Sequence, residues 1–366
     1  MRCPLAVSSE PTHTRCLRLV WVFGLLVSCG SGASSPSAAP AQDQDAGVDV
    51  AQEGGTGAAD TASAPSCAAT DPRAVPVTVA VEPAAGEVPL ATLITEAKTS
   101  IRVMVYMLGH GATLDALLQR ASAGVDEQVI LDQSQASYNQ AAHDALAAAG
   151  AQVQWSDPQF PYMHAKIVVV DEARAAVSTG NFAQSMMQEE RNYIAFDDDP
   201  ADVLSLTRLF DADWTRTAPD VSCTRLLVSP VNARDRILAL IQGAQTSLLV
   251  ESMEMADTDV RNALAVRKQQ GLAVRVLLAS PGWISSNKGA ATFLESTGVD
   301  VRYMATPAVH VKAIVADGTL AYLGSQNFSM TSLDSNREVG LIATESDVVQ
   351  TMSDTFEADW AGATSF

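Results

Sequence analysis

Residues 76–366 are one unit written twice, and any fold for this chain has to accommodate that duplication. Phe210-Asp211-Ala212-Asp213-Trp214 recurs as Phe356-Glu357-Ala358-Asp359-Trp360, 146 residues later. His164-Ala165-Lys166 recurs as His310-Val311-Lys312, and Asn181-Phe182 as Asn327-Phe328, at the same offset. Upstream the offset drifts by one or two: Val129-Ile130-Leu131 matches Val276-Leu277-Leu278, and Gly150 matches Gly298. In each copy a helically spaced set (Leu90, Leu93, Ile94, Ala97; Ile237, Leu240, Ile241, Ala244) runs into an apolar strand, at 101–108 and 248–255. Further helices and short strands follow in alternation, which implies a sheet covered by helices. The expected fold is therefore α/β: two lobes, 76–221 and 222–366, each a mixed sheet flanked by helices and related by a pseudo-twofold axis. A site at the lobe interface would draw matched residues from both copies, and the chain is expected to act as a monomer with an internal pseudo-dimer.

The chemistry-bearing residues lie at equivalent positions. Copy one reads His164-x-Lys166, Asp171, then Ser178-Thr179-Gly180-Asn181; copy two reads His310-x-Lys312, Asp317, then Gly324-Ser325-Gln326-Asn327. On a strand, residues i and i+2 share a face, so His164 sits with Lys166 and His310 with Lys312, while Ala165, Ile167 and Val169 turn toward the helix layer. Thr179 with Asn181, and Ser325 with Asn327, repeat that spacing. A phosphodiester needs a nucleophile, an acid for the leaving oxygen, and cations and donors for its other oxygens. Two each of His, Lys, hydroxyl and Asn supply that set without a metal or cofactor. The chain holds five Lys and five His in all, and two of each fall at these paired positions.

This pattern resembles the HxKx4D…GSxN signature of the phospholipase D superfamily, over both copies. Copy one departs at Ser178, where the family has Gly to let the backbone approach closely, and at Thr179. The resemblance implies His164, Lys166, Asp171, His310, Lys312 and Asp317 as the catalytic set, with Thr179, Asn181, Glu190, Ser325, Asn327 and Glu338 binding phosphate or supporting that set. Strand parity, however, reads Asp171 and Asp317 as structural, since they point away from His or lie in the turn that ends the strand. Copy two carries Asn336-Arg337-Glu338; copy one has Glu190-Arg191-Asn192, so Glu190, on the face of residue 192, is the candidate to replace the missing carboxylate. If Glu338 serves its own copy's His310, it favours a protonated His310 as general acid and His164 as nucleophile. If it crosses the axis to His164, that reasoning reverses the roles.

The implied reaction is attack of one His on phosphorus, then release of the phosphohistidine by water or by an alcohol. Three classes remain open: a phospholipase D-type phosphodiesterase acting on phospholipid head groups, with cardiolipin synthase-like phosphatidyl transfer as its variant; a nuclease of the same family; and a non-catalytic surface-binding lipoprotein. With Lys+Arg 23 and Asp+Glu 42 the net charge is −19, and aromatics are 5%. Both features argue against nucleic acid as a partner and leave phospholipid as the expected substrate.

The N-terminus reads as an export signal. Arg2, Arg15 and Arg18 precede an apolar run, 19–27, too short to span a bilayer but long enough for a signal-peptide core. It ends Leu26-Val27-Ser28-Cys29, which resembles a bacterial lipobox. Residues 1–28 are thus expected to be a signal peptide, Cys29 the lipidated residue, and 29–75, rich in Ala, Ser, Gly and Pro, a flexible tether holding an exported domain to the cell envelope. Cys67 and Cys223 remain as a pair for a disulfide. His110, in a Gly-rich loop, is a lesser site candidate. His143 reads as solvated, Asp197-Asp198-Asp199 as a turn and helix start, and Trp214 and Trp360 as core. Tyr162, Trp283 and Tyr303 are candidates to line a lipid entrance.

Overall fold

The computed structural model describes residues 67–365. The signal peptide, Cys29 and most of the tether lie outside the described residues.

The fold is α/β, with two lobes each built on a mixed sheet. In lobe one the strands run in the spatial order Thr78–Glu82, Glu190–Asp197, Arg174–Ser178, Lys166–Val170, Ser100–Val105, Asp126–Leu131, Gln152–Trp155. In lobe two the order is Thr364–Ser365, Asp300–Met304, Ala273–Ala279, Ser247–Ser252, Lys312–Ala316, Leu320–Gly324, Glu338–Ala343, Leu227–Ser229. The strand bearing Lys166 and the strand bearing Lys312 hold the same place in the two sheets.

Helices cover both faces of each sheet. Val168 and Val170 face the outer helices of lobe one, with Leu90, Leu117 and Leu146. Ile167 and Val169 face a central core shared by both lobes, with Val315, Leu323 and Leu341 of lobe two. Helices Pro200–Thr215 and Ser346–Gly362 contribute Phe210 and Phe356 to that core, and Trp214 and Trp360 are partly buried beside them. Parity alone therefore does not separate site from core, because neither face of the motif strand is open. What singles out the His and Lys is their place at the N-terminal end of the strand, next to the pairing with the other lobe.

Each lobe reaches across to the other just before its motif. The short strand Ala308–Val309 of lobe two pairs in parallel with Glu190–Arg191 of lobe one. The mirror contact pairs Met163 with Arg337. Two buried ion pairs lock the same crossing: Arg191 with Asp359, and Arg337 with Asp213, each joining one copy's Arg to the other copy's closing Asp. The repeated Phe-x-Ala-Asp-Trp segment is thus the lobe interface.

Residues 67–75, assigned to the tether on composition, belong to the domain. Cys67 is bonded to Cys223. The Arg73 side chain is fully buried, donating to Asp202 at 2.8 Å and to the Ile342 carbonyl at 3.0 Å. A short Ala-rich stretch with no large apolar run carries little core signal, so a single buried Arg that docks it is invisible to composition. Asp199 caps the helix Pro200–Thr215 through the Ala201 N–H, and with Asp197 and Asp202 it faces Arg73 and Arg225, so the acidic run is a helix start and an ion-pair cluster.

Glu127 is 1% exposed and neither of its carboxylate oxygens is hydrogen-bonded. Burial pushes its pKa up from 4.5 to about 8. The folded state then holds a proton that the unfolded chain releases above about pH 4.5, so stability drains away as pH rises from there to about 8. Glu127→Gln is expected to flatten this slope, raising Tm by roughly 3 °C or more at pH 8 and little at pH 4; melting curves at the two pH values decide it.

Candidate active site

A cavity of about 660 Å³ opens where the lobes meet, and His164 and His310 both line it. They are 8% and 4% exposed, and Lys166 and Lys312 beneath them are fully buried. Each Lys ammonium donates to the backbone carbonyl of its own His, and Lys312 also reaches the Thr179 carbonyl of the other lobe at 3.3 Å.

Each His is oriented by the opposite lobe. The His164 Nδ1 lies 2.8 Å from Oε2 of Glu338. The His164 and Ala165 N–H groups both donate to the Arg337 carbonyl, which delivers the strand to that carboxylate. Glu338 therefore crosses the axis, and the premise that it serves its own copy's His310 is overturned. On the other side His310 Nδ1 lies 3.1 Å from Asn192 Oδ1 and 3.4 Å from Glu190 Oε2.

Residues 190 and 192 do share a face, as do 336 and 338. Asn192 donates to Glu190 at 3.2 Å, and Asn336 donates to Glu338 at 3.0 Å. The two lobes thus carry the same amide–carboxylate pair in swapped order: carboxylate against His164 with amide at the cavity wall, amide against His310 with carboxylate at the wall. A second swap supports it. Gly180 stands where lobe two has Gln326, and a Cβ there would lie 2.5 Å from the Asn192 side chain. Ser178, in the place of Gly324, hydrogen-bonds the Gly180 backbone. Gly324 itself lies against Gly340 and Tyr322 inside the sheet, so its role is packing and not approach to phosphate.

Thr179 Oγ1 donates to Asn192 Oδ1 at 2.9 Å and accepts from the Tyr193 N–H, while Ser325 Oγ accepts from the Val339 N–H. Both hydroxyls tie the motif to the next strand, and they support the site and do not line it. Asn181 and Asn327 do line the cavity, each with a buried Oδ1 that has no hydrogen-bond partner.

Asp171 and Asp317 are not in the site. Each lies five residues past its Lys, roughly 16 Å along the strand. Asp171 accepts from the backbone N–H groups of Lys98, Thr99 and Ser100; Asp317 accepts from those of Gln245, Thr246 and Ser247. Those bonds hold the Asp171 carboxyl down at about 2 and also lower that of Asp317, against their partial burial. Their place in a catalytic set is corrected: they clamp the turn before the preceding strand.

Burial dominates the electrostatics. It pulls the His164 pKa down from 6.5 to about 4, with Glu338 opposing, and puts His310 well below its usual value with the lysines adding to the effect. It lowers Lys312 to about 7 and Lys166 well below its ordinary value. Glu338, beside His164 and Lys166, stays below the usual carboxylate range despite complete burial. The site is a buried cluster short of negative charge, which an anionic oxygen entering the cavity would supply.

Tyr162 and Trp283 line the cavity mouth at 40% and 45% exposure. Tyr303 is not among the lining residues; its hydroxyl donates to the Asn287 carbonyl. Sequence reading missed Tyr106, whose ring meets His164 edge-on with centroids 4.6 Å apart, and the methionines Met107, Met186, Met253 and Met330. Their signal was adjacency to the ends of repeated strands and helices, which carries no mark of a cavity. His110 does not line the cavity, and His143 stacks on Trp155 at 4.8 Å instead of standing free in solvent. Among the described residues no cluster of His, Cys, Asp and Glu could hold a metal ion.

The sequence profile described as "Cardiolipin synthase, PLD-like domain" matches residues 90–214 and 237–360, one match per lobe. A mitochondrial cardiolipin hydrolase of Xenopus laevis is 30% identical over 149 residues, 39% of this chain and 68% of that protein. A probable cardiolipin synthase of Bacillus subtilis is 23% identical over 311 residues, 72% of this chain and 62% of that protein. Among solved structures, the phosphatidylserine synthase of Haemophilus influenzae superposes with a TM-score of 0.61 at 12% identity, over 79% of this chain and 87% of that one. The polyphosphate kinase of Porphyromonas gingivalis superposes with a TM-score of 0.64 at 16% identity, over 78% of this chain but 47% of that one. The structural likenesses show a shared two-lobed fold, and the profile match over both lobes places the chain in the PLD-like family of the cardiolipin synthase type.

Proposed function

We propose that this protein is a phosphodiesterase that acts on phospholipid head groups, by hydrolysis or phosphatidyl transfer, through a phosphohistidine on His164. One observation carries the reading: a His from each lobe lines a single cavity, each with its Nδ1 held by an acceptor from the opposite lobe. Holding Nδ1–H on an acceptor leaves Nε2 with its lone pair. A phosphohistidine is a cationic ring, and the ionised, buried Glu338 neutralises it best on His164. That ground outweighs the role reversal that imidazolium stabilisation alone would suggest. The His164 Nε2–P bond forms as the bond from phosphorus to the headgroup oxygen breaks, and protonated His310 gives that oxygen its proton. Neutral His310 then takes a proton from water or an alcohol, whose oxygen forms the new P–O bond as the N–P bond breaks. An anionic phosphodiester above the buried Lys166 and Lys312 raises the His310 pKa that burial lowers; the lysines offset its charge from beneath the histidines, and Asn181 and Asn327, which line the cavity, hold the remaining oxygens.

Lipid is favoured over nucleic acid by the cavity's rim. Tyr162, Trp283 and Met330 are 40%, 45% and 69% exposed there, and no Lys or Arg is among the described lining residues. Aromatic rings and flexible methionines suit an apolar, variable surface, whereas a phosphate backbone needs a basic one. Phospholipid in micelles is expected to be turned over at least tenfold faster than single-stranded DNA, and with full activity in EDTA, since two lysines take the metal's charge role. Comparable nuclease activity, or loss on chelation restored by one divalent ion, would overturn the reading.

The same proposal places the domain outside the cytoplasm, anchored through Cys29. Labelled fatty acid should be incorporated by the full chain and not by Cys29→Ala; an unlabelled wild type rejects the anchor.

A further inference from the structure

The acceptor behind His310 is an amide, and its neighbours leave that amide one orientation. The Tyr193 N–H donates to Thr179 Oγ1 at 3.0 Å, so the hydroxyl directs its own proton to Asn192 Oδ1, 2.9 Å away. Asn192 Nδ2 donates to the Glu190 carboxylate at 3.2 Å. A carboxylate accepts and does not donate, so turning the amide over would set Oδ1 against the Glu190 oxygens. Gly180 packs on the same amide, where a Cβ would lie 2.5 Å from its Cγ and Nδ2. What the amide offers His310 is therefore Oδ1, 3.1 Å from the ring Nδ1. The His164 side is built differently. Ser325, in the place of Thr179, turns its hydroxyl to the Val339 carbonyl at 3.3 Å. Gln326, in the place of Gly180, bonds the Tyr322 hydroxyl and the Leu227 carbonyl. Glu338 needs no such fixing, because both oxygens of a carboxylate accept.

We propose that Thr179 and Glu190 are positioning residues for His310: by fixing Asn192 they confine the neutral ring to one tautomer, with Nδ1–H on the amide oxygen, and commit Nε2 to proton transfer. The inference rests on His310 being the acid of the proposed function. In the first step the Nε2 proton passes to the leaving headgroup oxygen while the Nδ1 proton stays on Asn192; in the second, Nε2 takes the proton of the water or alcohol. An amide oxygen orients the ring without the full charge that would hold an imidazolium, so His310 releases its proton more readily than a His against a carboxylate. The surrounding groups act in the same direction. Burial, then Lys312 two residues on, then Lys166 and His164 from the other lobe lower the His310 pKa. The nearest carboxylate, Glu190 at 3.4 Å, is engaged by the amide.

The test is NMR of the full chain carrying nitrogen-labelled histidine, with His310 assigned by its loss in His310→Gln. Neutral His310 should be Nδ1–H alone in wild type, a mixture of tautomers in Thr179→Val, and Nδ1–H again in Thr179→Ser. Asn192→Asp should raise the His310 pKa by roughly one unit or more, since a carboxylate favours the imidazolium. The alkaline limb of kcat/KM for phospholipid should move up with it, because activity is lost as the acid loses its proton. Thr179→Val should lower kcat for phospholipid roughly tenfold or more, yet change the burst rate on a p-nitrophenyl diester, which needs no acid, by less than about threefold. Equal loss on both substrates would mean a merely structural role and overturns the proposal. So does an Nε2–H tautomer in wild type, or a titration unmoved in Asn192→Asp. If Thr179→Val does not fold, the wild-type tautomer and the Asn192→Asp titration decide. If no diester is cleaved, the function proposed above fails, and the same two spectra still support or overturn the fixing of His310.

Discussion

His164→Ala and His310→Ala are each expected to lower phospholipid turnover by roughly 10⁴-fold or more, because neither half of a nucleophile–acid pair works alone. They should part on a diester whose leaving group is p-nitrophenolate, which departs without a proton. There His310→Ala should still release a burst of nitrophenol and accumulate a phosphorylated His164, since the group that would activate water is gone. His164→Ala should show no burst. The result is checked by rapid-mix absorbance and by mass mapping of acid-labile phosphate. Phosphate found on His310 in the His164→Ala protein would reverse the assignment and would mean that Glu338 serves its His as an acid's counterion.

Asp213→Ala is expected to destabilise the protein by about 3–5 kcal/mol, a Tm loss of roughly 10 °C. Arg337 has a side chain 2% exposed; it donates to Asp213 at 3.0 Å and to the Ser229 carbonyl at 3.0 Å. Removing the carboxylate leaves a buried guanidinium without its charge partner. The Arg337 carbonyl also receives the His164 and Ala165 N–H groups, so kcat should fall more than the unfolded fraction explains. Combining Asp213→Leu with Arg337→Met should cost less than the two single changes summed, because neither charge is then orphaned. A melt of Asp213→Ala within 2–3 °C of wild type would show that the lobes are held by the apolar core alone.

Much of this was legible in one dimension because duplication makes the chain its own control. The fixed offset exposed His164 and His310, Lys166 and Lys312, and Asn181 and Asn327. Alternating helix and strand periods pointed to the two-lobed α/β fold, and the odd spacing of Asp171 and Asp317 from their His already argued against the catalytic place that the family resemblance implied for them. Cys67 and Cys223 emerged as the pair left over. These are local or internally repeated signals, carried by residue type and spacing.

Tertiary structure alone decided which lobe serves which His. Glu338 lies 174 positions from His164 along the chain and 2.8 Å away in space. The strand exchange that joins them depends on Arg337 and Asp213 meeting across an interface, and no periodicity encodes a partner in the other copy. Arg73 escaped notice for the same reason: its burial depends on Asp202 and on the Ile342 carbonyl, distant in sequence. The amide–carboxylate swap was visible as Glu190-Arg-Asn192 against Asn336-Arg-Glu338, but its meaning was not, because a sequence gives the order of side chains along a strand and only packing gives the neighbour each one faces.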